Sequence, residues 1–253
     1  MLHVRDKLRK PGHNRRMNAQ SAPAEAAPEP PQPAARALAA AWAYARRAPG
    51  TYLWLLALLG TTVVIRRMDP AFHDQFLRQR STNLHQLSTD PVRVLIASAF
   101  WLDGGGWIVY FVVYNIFHVP AERWLGTWRW LTALTIAHVG ATYISEGVLY
   151  WAIHQGRAPE SAVNTLDVGV SYALAGIQGI LFYRIGGPWR WVYLTGVLLW
   201  YGSALVHGRT FTDVGHFTAT LLGLACYPLT RGRGERWDPI AWLRSRRRRS
   251  AHR

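Results

Sequence analysis

The chain is poor in cysteine, in lysine and in acidic residues. Cys226 is the only cysteine among 253 residues, which excludes an intrachain disulfide and a structural site built from several thiols. Lysine occurs only at Lys7 and Lys10 while arginine is abundant, and we interpret this bias as GC-rich coding in a bacterium. Asp and Glu together number 14, against 29 Lys and Arg.

What the chain has in excess is apolar residues. Half of it is apolar, and it contains 13 tryptophans, far more than the core of a soluble domain needs. The apolar residues are bunched into blocks between two arginine-rich tails, so a mean hydropathy near zero is an average of very different segments. This pattern is typical of a polytopic membrane protein.

The formal net charge of +15 lies mostly in the two tails. The arginines flank apolar runs and do not line a fold with interleaved aromatic residues, so the sequence argues against nucleic-acid binding. We expect the basic tails to contact anionic lipids instead. No cofactor is predicted.

The predicted fold is all-α, a six-helix membrane domain over residues 50–230. Residues 1–49 are predicted to be a disordered, basic and Pro/Ala-rich cytoplasmic tail, and residues 231–253 a basic tail with an interfacial helix around Trp237 and Trp242. No cleavage site precedes the first apolar block, which we expect to remain as an anchor. The predicted spans cover residues 51–65, 94–117, 131–150, 168–185, 191–206 and 214–229.

Two segments complicate this pattern. Residues 68–93 carry apolar residues at helical spacing between charges, which predicts an amphipathic piece at the membrane surface. Asp103 and three glycines interrupt the second span, so that segment either lines protein or water or precedes the span. Most Lys and Arg fall on the side that holds both tails, which predicts a multi-pass plasma-membrane protein with both termini in the cytoplasm.

Ser171 and His216 lie at matching positions of spans four and six. Each follows an aspartate, Asp167 or Asp213, which we expect at the outer water boundary. Both spans carry small residues at three- or four-residue spacing, which lets helix backbones approach closely. These residues are Gly169, Ala173 and Gly176 on span four, and Gly215, Ala219 and Gly223 on span six. A histidine within reach of a serine is the arrangement that activates a hydroxyl nucleophile.

These motifs resemble those of the rhomboid intramembrane serine proteases. Gly169-Val170-Ser171 is similar to their Gly-x-Ser motif, and Gly215-His216 with Ala219 and Gly223 to their motif around the histidine. The turn from Pro120 to Arg129, with Glu122, Arg123 and Gly126, is similar to their Glu-Arg-x-x-Gly turn. The resemblance implies a dyad of Ser171 as nucleophile and His216 as general base, which cleaves a transmembrane polypeptide near its outer end.

Departures from the family pattern support an alternative function. Tyr172 follows the serine where the family has glycine, and Ala175 stands where it has an aromatic residue. The second span lacks the histidine and asparagine that stabilise the oxyanion, since Asn115 and His118 lie near its cytoplasmic end. The alternative is a proteolytically inactive rhomboid-like protein that binds other membrane helices as a scaffold or trafficking partner.

Other polar residues could also carry function. His138 and Glu146 lie two turns apart on span three, and intramembrane ionisable residues are functional candidates; we interpret them as a buried histidine bonded to a neighbouring helix and a glutamate at the outer boundary. With Asp103 they could form a proton path of a small transporter, but no inverted repeat is evident. The spacing of His154, His207 and His216 matches no compact metal motif.

Overall fold

The computed structural model describes residues 33–103, 106–208, 210–234, 236–240 and 242. These residues are helical apart from turns and one isolated parallel bridge between Ile185 and Trp237, which agrees with the predicted all-α class. Two 3-10 turns lie at Glu160–Asn164 and Tyr227–Thr230. The helices are α1 (Pro33–Ala45), α2 (Pro49–Arg66), α3 (Pro70–Arg78), α4 (Leu84–Thr89), α5 (Pro91–Ser98), α6 (Trp107–Ile116), α7 (His118–Leu125), α8 (Thr127–His154), α9 (Val170–Leu181), α10 (Trp189–His207) and α11 (Phe211–Ala225).

The chain divides into two contact units, residues 1–39 and 40–253. Of the first unit, the structure describes only the beginning of α1. Helix α1 lies within the predicted disordered tail, and residues 33–45 are instead helical because alanine, the strongest helix former, dominates their sequence and proline suits the first helical position. Residues 1–32 of the predicted tail lie outside the described residues.

Short polar side chains fix the beginnings of several helices. Asp69, Asn83 and Asp90 each accept a backbone N–H from the first turn of α3, α4 or α5, and a proline follows both aspartates. The segment predicted as one amphipathic piece, residues 68–93, therefore holds two short helices and the start of a third.

The predicted spans correspond to helices of unequal length. Spans one, three, five and six match α2, α8, α10 and α11. The second predicted span is divided into α5 and α6, and the break includes Asp103, where the sequence predicted an interruption. Of the described helices, Pro49–Arg66 alone has both the length and the hydropathy to cross a membrane, and Val170–Leu181 is a shorter apolar helix. The number of spans stays a prediction.

Helix α9 is shorter than the predicted span 168–185. Beyond Leu181 the backbone N–H groups of residues 182–184 donate to carbonyls three residues back, which tightens the last turn. Gly186, Gly187 and Pro188 follow and do not continue the helix. At 12 residues, α9 spans about 18 Å.

Helix α9 lies at the centre of the bundle and α10 at its surface. Nine of the twelve residues of α9 are buried, mainly against α8 and α11. Helix α10 buries only Tyr201 and leaves Leu199 and Trp200 exposed by 67% and 75%. Such apolar surface is typical of a helix face that contacts lipid.

Trp237 pairs with the segment that follows α9. Its N–H donates to the Arg184 carbonyl at 2.8 Å, and its own carbonyl accepts from the Gly186 N–H at 2.9 Å. Trp237 is therefore held in extended backbone pairing and does not begin an interfacial helix as predicted. Of the rest of the C-terminal tail, residues 243–253 lie outside the described residues.

Candidate functional site

A cavity of about 580 Å³ opens among the first turns of α9 and α11 and the C-terminal half of α10. Ser171 and His216 both line it, and each is half-buried. The remaining lining residues are Leu174, Trp200, Tyr201, Ser203, Ala204, His207 and Asp213. The structure thus brings the predicted serine and histidine to the same cavity.

Helices α9 and α11 pack backbone against backbone. A side chain at Gly223 would overlap the Gly176 backbone, and one at Gly179 would overlap the Thr220 carbonyl. Ala219 is fully buried in the same interface. The close approach that the small residues predicted is therefore confirmed at these positions.

Gly169 and Gly215 make room for two buried rings. A Cβ atom at Gly169 would overlap the imidazole of His138, and one at Gly215 would overlap the phenol of Tyr172. The glycines of the two motifs are therefore required by packing around the cavity, whatever chemistry the neighbouring residues perform.

Ser171 is the second residue of α9. Its hydroxyl donates to the Val168 carbonyl at 3.5 Å, a long hydrogen bond. Among the described residues no hydrogen bond joins Ser171 to His216. The N–H groups of Val170, Ser171 and Tyr172 find no acceptor in the described part of the chain, as expected for the first turn of a helix.

His216 is held between two tyrosine rings. The Tyr172 ring meets it edge-on at 5.0 Å between centroids, and the Tyr201 ring stacks on it at 5.8 Å with 15° between planes. These two ring contacts hold the plane of the imidazole.

Both tyrosines are themselves held. The Tyr201 hydroxyl donates to Gln178 Oε1 at 2.6 Å, and the Tyr172 hydroxyl donates to Ser145 Oγ at 3.4 Å. Helices α8, α9 and α10 therefore all contribute to the position of the histidine on α11. Tyr201 was missed from the sequence because no motif marks it.

Asp213 stands at the start of α11 beside His216. It forms a capping box with Thr210, whose N–H and hydroxyl donate to Asp213 Oδ2 at 3.0 and 2.6 Å. Its carboxylate lines the cavity.

Asp167 does not lie at the water boundary as predicted. It is 4% exposed, because residues 81–83 cover it. Its N–H donates to Ser81 Oγ at 2.7 Å, and the Thr82 hydroxyl donates to its Oδ2 at 3.3 Å. Burial raises the pKa of the Asp167 carboxyl to about 6, and the Thr82 hydrogen bond opposes this only partly.

His138 and Glu146 are both buried in α8, apart from the cavity. His138 Nε2 donates to the Leu95 carbonyl at 2.9 Å, which confirms a histidine bonded to a neighbouring helix. Glu146 is 2% exposed, and the Leu84 backbone approaches its carboxyl without hydrogen-bond geometry. Glu146, which the sequence predicts at the outer boundary, is thus covered by protein.

The Glu122 carboxylate binds the beginning of α2. Oε1 accepts from Gly50 N at 2.8 Å and from Thr127 Oγ1 at 2.7 Å, and Oε2 accepts from Thr51 N and Thr51 Oγ1, each at 2.7 Å. The residue is 1% exposed. A negative charge here also complements the positive end of the helix dipole.

Arg123 and Gly126 complete this turn. The Arg123 guanidinium lies 5.1 Å from the centroid of the Tyr44 ring. Gly126 joins α7 to α8 with φ of 81°, a conformation that favours glycine. The motif predicted from the sequence is thus a structural joint between α2, α7 and α8.

Asn115 and His118 do not line the cavity that holds Ser171, and each makes contacts of its own. Asn115 Oδ1 accepts from the Tyr52 hydroxyl at 2.6 Å. Complete burial lowers the pKa of His118 to about 3, and its neutral ring accepts from Trp130 Nε1 at 3.2 Å. Neither side chain is placed to stabilise an oxyanion at the serine.

Within the described residues no group of three His, Cys, Asp or Glu side chains could hold a metal ion. His154 and His207 each donate from Nδ1 to the carbonyl four residues earlier, and His207 lines the cavity with His216.

Comparison with known proteins gives one match. No curated protein and no solved structure is similar to the chain. The family model described as rhomboid-like protein matches residues 43–236, which contain the cavity, both glycine motifs and the Glu122 turn. The chain therefore belongs to the rhomboid-like protein family and is a membrane protein.

Proposed function

We propose that the protein is an intramembrane serine protease that cleaves transmembrane polypeptides, with Ser171 as nucleophile and His216 as general base. The observation that supports this best is the shared cavity. Two side chains that could form a dyad line one opening of about 580 Å³, in a bundle whose α9 and α11 approach closely enough for their side chains to meet.

The neutral imidazole of His216 keeps one unprotonated ring nitrogen, which can accept the Ser171 proton. The Ser171 hydroxyl leaves its long bond to Val168 by one rotation about χ1.

The chemistry is acyl transfer. Ser171 Oγ attacks the carbonyl carbon of the scissile peptide bond while His216 accepts the hydroxyl proton. The free N–H groups at the start of α9 stabilise the oxyanion that forms, aided by the helix dipole. His216 then gives its proton to the departing amine nitrogen, and water hydrolyses the acyl-enzyme.

The proposed setting is a plasma membrane crossed six times, with both termini in the cytoplasm and the cavity opening outward. The excess of arginine on the side of the tails supports this orientation. Anionic lipids of the inner leaflet would attract the basic tails.

The alternative is an inactive rhomboid-like protein that binds membrane helices. The absence of a hydrogen bond between Ser171 and His216 in the described chain, together with the positions of Asn115 and His118 outside the cavity, favours it. Losing an oxyanion donor typically lowers kcat by about a hundredfold or more.

Labelling with a serine-reactive fluorophosphonate in detergent separates the two functions. We expect the wild type to label and Ser171→Ala and His216→Ala to lose labelling. Ser203→Ala and His207→Ala are matched controls, because both residues line the same cavity, and they should label normally. A folded wild type that does not label, under conditions that label an active rhomboid, would reject the protease in favour of helix binding.

A further inference from the structure

Two adjoining cavities lie at the end of α9 opposite Ser171. A small one of about 300 Å³ is lined by Pro120, Arg123 and Arg184. A larger one of about 570 Å³ shares Pro120 and Arg184 with it. Its other walls are apolar or aromatic and include Ile116, Phe117, Leu181, Ile185 and Trp237. Together they form a basic pocket that continues into an apolar groove.

Among the described residues, no carboxylate lines the basic pocket. Neither Arg123 nor Arg184 forms an ion pair with any carboxylate of the described residues. Arg184 is half-buried and Arg123 is exposed. The partial loss of water around Arg184, with a second positive charge beside the same cavity, is unfavourable without an anion. Guanidinium groups bind phosphate oxygens in a bidentate manner, so a phosphate group is the anion that fits best.

The apolar groove indicates which kind of molecule carries the phosphate group. An inorganic phosphate would fill the basic pocket and leave the groove unused, whereas an acyl chain is the ligand that removes such apolar surface from water. Trp237 and Tyr193, which line the groove, are residue types that prefer the membrane interface. In the proposed topology the site faces the inner leaflet, where anionic lipids are found.

We propose that this site binds an anionic phospholipid, with the phosphate between Arg123 and Arg184 and one acyl chain along the groove. The site does not depend on the proposed protease. Neither of its two arginines belongs to the basic tails. A bound lipid would contact the end of α6, the beginning of α7, the end of α9 and the paired Trp237 segment, and would therefore hold these four elements together.

Lipid titration of the purified full-length protein, monitored by native mass spectrometry, tests the site. The probes are phosphatidylglycerol, phosphatidylcholine of the same chain length, and inorganic phosphate. We expect phosphatidylglycerol to bind about tenfold more tightly than phosphatidylcholine, and Arg123→Gln/Arg184→Gln to reduce this preference to about twofold or less. Inorganic phosphate should not displace the lipid at millimolar concentration.

The matched control is Arg231→Gln/Arg233→Gln, which removes the same charge from a neighbouring arginine-lined cleft. It should keep the full preference. Ile116→Gln, at a residue 55% exposed in the groove wall, should weaken both lipids by a similar factor. The proposal would be overturned if Arg231→Gln/Arg233→Gln lost the preference for phosphatidylglycerol as fully as Arg123→Gln/Arg184→Gln. It would also be overturned if inorganic phosphate displaced the bound lipid completely.

Discussion

The Glu122 carboxylate should be among the most sensitive positions for stability. Each of its two carboxylate oxygens accepts two hydrogen bonds, one from a backbone N–H of α2 and one from a threonine hydroxyl. Glu122→Gln replaces one oxygen by an NH₂ group, which cannot accept. Whichever oxygen it replaces, the NH₂ group then faces a backbone N–H, which cannot accept, and a threonine hydroxyl, which must turn to do so.

The magnitude follows from the number of bonds. A hydrogen bond to a charged group contributes about 1.5–3 kcal/mol, and the four bonds share one carboxylate, so their contributions do not add. We expect Glu122→Ala to lower the free energy of unfolding by about 3–5 kcal/mol, the range for breaking a buried charged network. Glu122→Gln should cost about 2–4 kcal/mol, since it keeps the shape but loses two of the four acceptor contacts.

Cys226 provides the assay. It is the only cysteine and is 5% exposed, so a thiol-reactive fluorophore reports unfolding as temperature rises. Glu122→Gln should lower the midpoint by about 5 °C or more. The control is Glu160→Gln at an exposed position, which should change it by about 1 °C. If Glu122→Gln and the wild type have the same unfolding midpoint, the four hydrogen bonds do not stabilise the joint and the reasoning fails.

Two further predictions concern packing and pH. Gly223→Ala should lower the unfolding midpoint, because the added Cβ would meet the Gly176 backbone. The control is Gly147→Ala on α8, where the space is open, and it should leave the midpoint equal or slightly higher. If the two variants had the same midpoint, the close approach of α9 and α11 would be contradicted. The folded Asp167 carboxyl, whose pKa burial raises to about 6, holds a proton that the unfolded chain releases near pH 4. The contribution of Asp167 to stability should therefore be fully present below pH 4 and should fall by up to about 3 kcal/mol as pH rises through 6. Asp167→Asn should lack this contribution, so the difference between the wild-type and variant unfolding midpoints should change between pH 4 and 8, and a constant difference would contradict the prediction.

The parts of the site that follow helical spacing could be predicted from the sequence. Small residues at three- and four-residue intervals indicated which faces of α9 and α11 meet, and this placed Ser171 and His216 at one cavity. Caps such as Asp90 followed by proline marked helix starts in the same way. These features are local, so a single stretch of sequence contains them.

What the sequence did not predict depends on contacts between distant segments. The burial of Asp167 and Glu146 comes from residues 81–84, which a helical wheel of either element does not include. Tyr201 reaches His216 from a helix in which it is the one buried residue. The helix in residues 33–45 depends on alanine propensity, which the composition argument for disorder did not weigh.

Tyr172 illustrates why a departure from a family motif has to be judged in three dimensions. In sequence it stands where the family has glycine beside the nucleophile, and a ring there could block the cavity. In the structure its side chain is fully buried, does not line the cavity, and occupies the space that Gly215 leaves open. The ring therefore packs edge-on against His216, and the cavity stays open at Ser171. If labelling fails, obstruction of Ser171 by Tyr172 is therefore not the cause, and the separation of Ser171 from His216 and the missing oxyanion donors of the second span are the features to test.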